Sequence, residues 1–373
     1  MLRVVLLACV LGACGFRVTS GGAAGDDEPP PDQAIDTAEP TDWLPGYTYR
    51  KRIDVTSGQA VALDDFAIAI VIENDADLAA HARDDGQDLI ITTADGAILE
   101  YELEQFDGAT GALSMWARVP SLAPQTPLYL YYGGEIRLHD ARATWSPQTY
   151  RAVWHMTDPL GTQANDSAGT NDLASTGAMN LPVLQDGIAG VGRGLDGDND
   201  MLRVNDDDSL DFGTESFSFS VWVFIVQSSG FYDMPMYKGA ASFSQPGYDL
   251  ELGTGGWRAF VGDGTSNPEV TFSNETLNVW VHLVAVVDRA GDAFIAYKDG
   301  APVDQTSIVN LDSTSSDYVF TVGSNGSNYW MRGRIDEPRI YARALPPEWI
   351  AAEHANLRAP ATFAAVGAEE TML

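Results

Sequence analysis

Carboxylates two residues apart on a β-strand project from the same face, and a retaining glycoside hydrolase needs its acid and nucleophile about 5 Å apart. Two pairs have the required spacing, Asp249 with Glu251 in Tyr248-Asp249-Leu250-Glu251-Leu252, and Glu102 with Glu104. Solvent-facing strand acids give the same pattern, and that is the default reading of both pairs. The five histidines, His81, His139, His155, His282 and His354, are scattered without His-x-x-x-His spacing or a cysteine partner, so a zinc site has little support. Sugars stack on aromatic rings while polar groups fix their hydroxyls. Tyr232, Tyr248, Trp257, Tyr329 and Trp330 lie in or beside Gly/Ser/Asn-rich stretches and are the candidate ligand contacts. Trp222 and Trp280 fall inside dense apolar runs and read as core.

These residues sit in an acidic chain. Lys plus Arg number 21 against 53 Asp plus Glu, a net charge of −32, so phosphate backbones and anionic membranes are repelled and nucleic acid is excluded as a partner. Such a balance suits a solvated extracellular surface or one that collects divalent cations. Residues 1–13 carry one arginine and then an apolar stretch too short to span a bilayer, which is a signal-peptide pattern. The stretch ends Leu11-Gly12-Ala13-Cys14, which resembles the bacterial lipobox. That resemblance implies cleavage before Cys14, lipid on Cys14, and a place in the cell envelope, at the outer membrane or cell surface. The lipid would be the only membrane contact. With Cys9 in the cleaved segment, no disulfide is available and burial alone must hold the fold.

Residues 14–42 are Gly, Ala, Asp, Glu and Pro with almost no large apolar residue, and read as a disordered, self-repelling tether. From 43 to 136 the pattern is of short strands punctuated by Asp95-Gly96 and Asp107-Gly108, where a chain reversal needs residues that tolerate positive φ. From 150 to 345 the strands continue. Phe217 to Val226 begins in strict alternation and becomes apolar on both sides, as a strand between two layers should. Asp299-Gly300 marks a hairpin, Pro347 to Asn356 a short helix with proline at its start, and the remainder of 346–373 a loose tail. The fold class predicted is all-β, a small antiparallel sandwich followed by a larger jelly roll, with a short C-terminal helix.

Trp43, Tyr49-Arg50-Lys51, Asp85-Gly86-Gln87-Asp88-Leu89, Trp116-Ala117-Arg118-Val119-Pro120 and Leu128 to Gly133 together resemble the bacterial domain family DUF2341, which implies a β-sandwich accessory module without established activity. The second region resembles laminin-G-like, concanavalin A-like domains. The residues that carry this are Asn165-Asp166-Ser167-Ala168-Gly169, Leu195-Asp196-Gly197-Asp198, Phe217 to Trp222, and the ending Gly333-Arg334-Ile335-Asp336-Glu337-Pro338-Arg339-Ile340-Tyr341. In that family an Asp of the early Asp-Gly turn and the Asp of the closing strand can share a calcium ion, which carried over implies Asp196 or Asp198 with Asp336 as ligands. The family also includes glycan hydrolases, but neither carboxylate pair here belongs to their three-carboxylate strand motif. The expected function is therefore a non-catalytic, lipid-anchored surface protein whose jelly roll binds a glycan or a surface protein, with a structural Ca2+. The alternative is a spacer in an envelope assembly that binds no sugar, and glycoside hydrolysis ranks last.

Overall fold

The computed structural model describes residues 43–158, 163–175, 182–230, 232–239, 245–274 and 276–372. The segments 1–13 and 14–42, and Cys14 with them, lie outside the described residues.

The first module is two antiparallel sheets. One runs in the order Ala364–Thr371, Tyr47–Thr56, Gln125–Gly134, Ile90–Thr93, and the other Leu63–Ile72, Ala112–Leu122, Glu100–Asp107. Alternation decides what each strand buries. In Gln125–Gly134, Leu128, Leu130 and Tyr132 enter the main core, while Tyr129 and Tyr131 join Tyr47 and Ile90 in a second cluster on the opposite face. There the Arg50 guanidinium lies 4.4 Å from the ring centroids of both Trp43 and Tyr129. The aromatic run is therefore sheet packing on both sides.

The reading of the last residues as a loose tail is corrected. After the helix Pro347–Arg358 and the short turn of helix Pro360–Phe363, the chain forms the strand Ala364–Thr371 and adds to the edge of Tyr47–Thr56, with Tyr49 opposite Thr371. Asn356 caps the outer edge of Leu63–Ile72 in the other sheet, accepting from the Ala69 N–H at 2.7 Å and donating to the Ala69 carbonyl at 2.9 Å, with both residues buried. An unpaired edge is a liability in any sheet, and this amide protects one position of it. The first module thus comprises 43–136 together with the chain's end.

The jelly roll is two eight-stranded antiparallel sheets. Phe217, Phe219, Val221 and Val223 of the strand Phe217–Ile225 point between them, toward Leu250, Leu252, Trp257 and Val261. The alternate positions explain why this strand is apolar on both sides. Trp222, with Val284 and Val286 from Trp280–Asp288, faces outward into the core of the first module, alongside Trp116, Trp145, Trp349 and Ile350. One apolar core therefore joins the two modules. Trp222 is fully buried, but Trp280 is only half-buried, at the margin of that shared core, so its assignment to core is corrected.

Candidate functional site

Two of the five candidate ligand aromatics are core residues, a correction to the sequence reading. Tyr248 is 1% exposed, its ring 5.2 Å from both Phe217 and Phe219 and its hydroxyl donating to the Leu210 carbonyl at 3.2 Å. Trp257, also 1% exposed, pairs with Leu252 across the strands Gly247–Gly253 and Gly256–Gly262. Their glycine-rich surroundings are strand ends rather than loops, and strand parity turns both rings inward.

Tyr232, Tyr329 and Trp330 remain half-buried at the end of the sandwich. Tyr329 holds a left-handed backbone (φ 58°), an uncommon conformation for an aromatic residue and one that packing must sustain. Its ring meets Tyr232 edge-on at 5.1 Å, and the Arg258 guanidinium lies 5.7 Å from the Tyr232 ring. Met331, fully buried, is the plug beneath. Beside Arg258 is a hollow of about 360 Å³ lined by Ser228, Gly230, Gly253, Thr254, Gly256 and Asn274. Gly253 leaves room for the guanidinium, which a Cβ there would approach to 2.7 Å. Arg258 is ion-paired with Glu251 and lies 3.6 Å from Glu269. Asp249 and Glu251 do share one sheet face, but both are buried, so the solvent-facing reading of that pair is corrected. Burial pushes the Glu251 carboxyl up, and Arg258 opposes the shift.

The carboxylates expected to share calcium are not brought together. Asp196 stands opposite Arg332 in the sheet, whereas Ile335, next to Asp336, stands opposite Arg193. Asp336 is therefore four residues along the strand from the register of Asp196, about 13 Å at the usual rise. Asp196 is exposed and accepts from the backbone N–H groups of Asp198 (2.8 Å) and Asn199 (3.3 Å), which is turn chemistry. Asp336 is 1% exposed and accepts from the Ile188 N–H at 2.8 Å. Its carboxyl is pushed well above the ordinary range, first by burial and then by the neighbouring Glu337.

A buried polar cluster lies where the modules meet. Opposite Val221 the closing strand Arg332–Tyr341 carries an extra residue, with Glu337 at φ 50°, and this β-bulge re-aims the Glu337 side chain. His155 Nδ1 is 2.8 Å from Glu337 Oε1, and Arg339 donates to Glu337 Oε2 at 2.7 Å. From the first module come Glu102 and Glu104, alternating on Glu100–Asp107 and turned into the join, so their solvent-facing reading is corrected as well. Glu102 accepts from Ser167 Oγ at 2.8 Å and from Trp145 Nε1 at 2.5 Å; Glu104 Oε2 accepts from Trp116 Nε1 at 2.8 Å and Ser114 Oγ at 2.9 Å. The His155 ring stacks 5.0 Å from Trp116. Burial alone would favour neutral imidazole, but Glu337, Glu104 and Glu102 overcome it and hold the His155 pKa well above its ordinary value. Glu104 is pushed up by burial. A cleft of about 870 Å³, lined among others by Ser114, Ile188, Ala189 and Pro360, reaches one member of this cluster, Glu104. The only hint of it in the sequence is the alternation of Glu102 and Glu104; His155 and Glu337 are separated from them along the chain and cannot be grouped without the fold.

Residues 196–351 match the family model of the concanavalin A-like lectin/glucanases superfamily. No match is found among curated proteins. Similar solved structures include the binding domain of Paraclostridial mosquitocidal protein 1 (18% identity, TM-score 0.46, covering 56% of this chain and 52% of that one). Another is the botulinum neurotoxin serotype D ligand binding domain in complex with N-acetylneuraminic acid (15%, TM-score 0.47, 56% and 51%). A third is domain 4 of AbnA, a GH43 extracellular arabinanase from Geobacillus stearothermophilus, in complex with arabinotriose (21%, TM-score 0.43, 55% and 98%). The chain spans about half the length of the two toxin domains. The nearly all-β architecture, its antiparallel sheets and the matched segment together identify a concanavalin A-like domain within this chain.

Proposed function

We propose that this protein is a non-catalytic surface lipoprotein whose jelly roll binds a glycan at the rim formed by Tyr232, Tyr329 and Trp330. The observation that carries the reading is the juxtaposition of half-buried aromatic rings with Arg258 and a polar hollow lined by Ser228, Thr254 and Asn274. Rings supply stacking area, and hydroxyl and amide groups fix orientation, which is how a sugar site is assembled. Glu251 is buried and committed to an ion pair with Arg258.

On a glycan array followed by titration with the best binder, Tyr329→Ala and Tyr232→Ala are expected to weaken binding about tenfold, equivalent to roughly 1.4 kcal/mol. Both should melt close to the parent. Trp257→Ala is the contrasting case, a core truncation costing about 3–5 kcal/mol. Unchanged affinity in the tyrosine variants, or early melting of both, counts against the rim.

Attachment is assigned to Cys14. Cys14→Ser should move the protein from the membrane to the soluble fraction and abolish incorporation of labelled fatty acid, because two acyl signals are needed for stable anchoring. Retention in the membrane by the serine variant would remove the lipid anchor from this reading. A structural role is the second reading, favoured by the apolar core that the two modules share. A negative glycan array with an intact fold supports it.

A further inference from the structure

We propose that Glu104, His155 and Glu337 form a divalent-cation site at the join of the two modules, reached from the cleft beside Pro360. One donor atom from each residue lies within 4.8 Å of the others. His155 is 5% exposed, with Nδ1 facing Glu337 Oε1 at 2.8 Å and Nε2 facing Glu102 Oε2 at 3.5 Å. Glu104 Oε1 is buried without a partner among the described residues, while its other oxygen is held by Trp116 and Ser114. Glu104 Oε1 therefore offers an unused lone pair beside the His155–Glu337 pair.

The surroundings agree. Glu102, Glu104, Asp336 and Glu337 are four carboxylates served by one guanidinium, Arg339, and one imidazole. Arg339 is shared further with Glu353 at 3.5 Å. A cation taking the place of the proton between His155 Nδ1 and Glu337 Oε1, and reaching Glu104, would offset the carboxylate charge gathered there. The outer contacts have the form that orients metal ligands, with Trp116, Ser114 and Arg339 fixing the two carboxylates. One imidazole nitrogen with two carboxylates suits zinc, manganese or cobalt rather than calcium, which takes oxygen ligands alone. Cleft water would complete the shell. This site is distinct from the rim and does not depend on glycan binding.

The test uses the full chain, stripped with chelator and dialysed against Zn2+, Mn2+ or Co2+, with bound metal counted by elemental analysis. One equivalent of Zn2+ or Co2+ is expected, with Co2+ quenching tryptophan fluorescence because Trp116 and Trp145 lie 5.0 and 5.3 Å from His155. Glu104→Gln keeps an acceptor for Trp116 and should weaken binding at least tenfold, as should His155→Gln, while Tyr329→Ala leaves it unchanged. Stoichiometric Co2+ without quenching, binding indifferent to Glu104→Gln in a folded variant, or no bound metal at all would each overturn the site. The wild-type quenching measurement decides the matter even where a variant fails to fold.

Discussion

A chain ending at Arg358 is expected to lose the folded first module. The missing residues supply Phe363 and Ala364 to the core and the strand that covers Tyr47–Thr56. Burying a phenylalanine is worth about 1.5–3 kcal/mol. Two further groups lose their partner, Tyr132 OH and His81 Nδ1, each 2.8 Å from Glu369 Oε2, and Arg50 loses its 2.6 Å bond to Glu370 while keeping Tyr131. Leaving a buried polar group unpaired costs roughly 1–3 kcal/mol more. The sum is of the order of 5 kcal/mol, comparable with the whole stability of an ordinary domain. The truncated chain should be protease-sensitive across 43–136, and a peptide of residues 359–372 added in trans should restore protection. A truncated chain that melts with the parent would show the tail strand to be dispensable.

Arg339→Ala should be the most damaging single substitution at the join. The guanidinium is 1% exposed, donates to Glu337 at 2.7 Å, and lies over the Trp116 ring at 4.6 Å. Removing one partner of a buried ion pair leaves an uncompensated charge, which costs about 3–5 kcal/mol. Here two carboxylates lose their shared cation, Glu337 keeping His155 and Glu353 keeping the Tyr341 hydroxyl. Adding Glu353→Gln to Arg339→Ala should recover part of the loss, a coupling that independent sites would not show. The measurement is chemical unfolding of the two single variants and the double. Strict additivity, or a loss below 1 kcal/mol for Arg339→Ala, contradicts a working buried network.

Much of the fold was legible because its signals are local. The alternation of Phe217-Ser218-Phe219-Ser220 gives a strand wherever it is read, and Asp299-Gly300 forms the hairpin with both residues at positive φ (51° and 81°). Proline at the start of Pro347–Arg358 marks a helix without any tertiary information. The candidate sites were less legible. Composition places Tyr248 and Trp257 beside loops, because it cannot distinguish a glycine that ends a strand from one that opens a loop. Strand parity, fixed by register with Val261 and Leu252, put both rings in the core. Asp336 was found in the closing motif, but its distance from Asp196 depends on which residues face each other across two strands, and a shift of a few positions separates them.

Only the tertiary structure joined Glu104 to His155 and Glu337, and the tail to the first module. Tyr49 pairs with Thr371 across nearly the whole described chain. Short-range pattern determines which segments become strands and which side chains share a face. It carries no information about which distant edge a strand will cover, because that choice is made by the shape of two apolar faces and by the backbone groups each edge leaves unpaired.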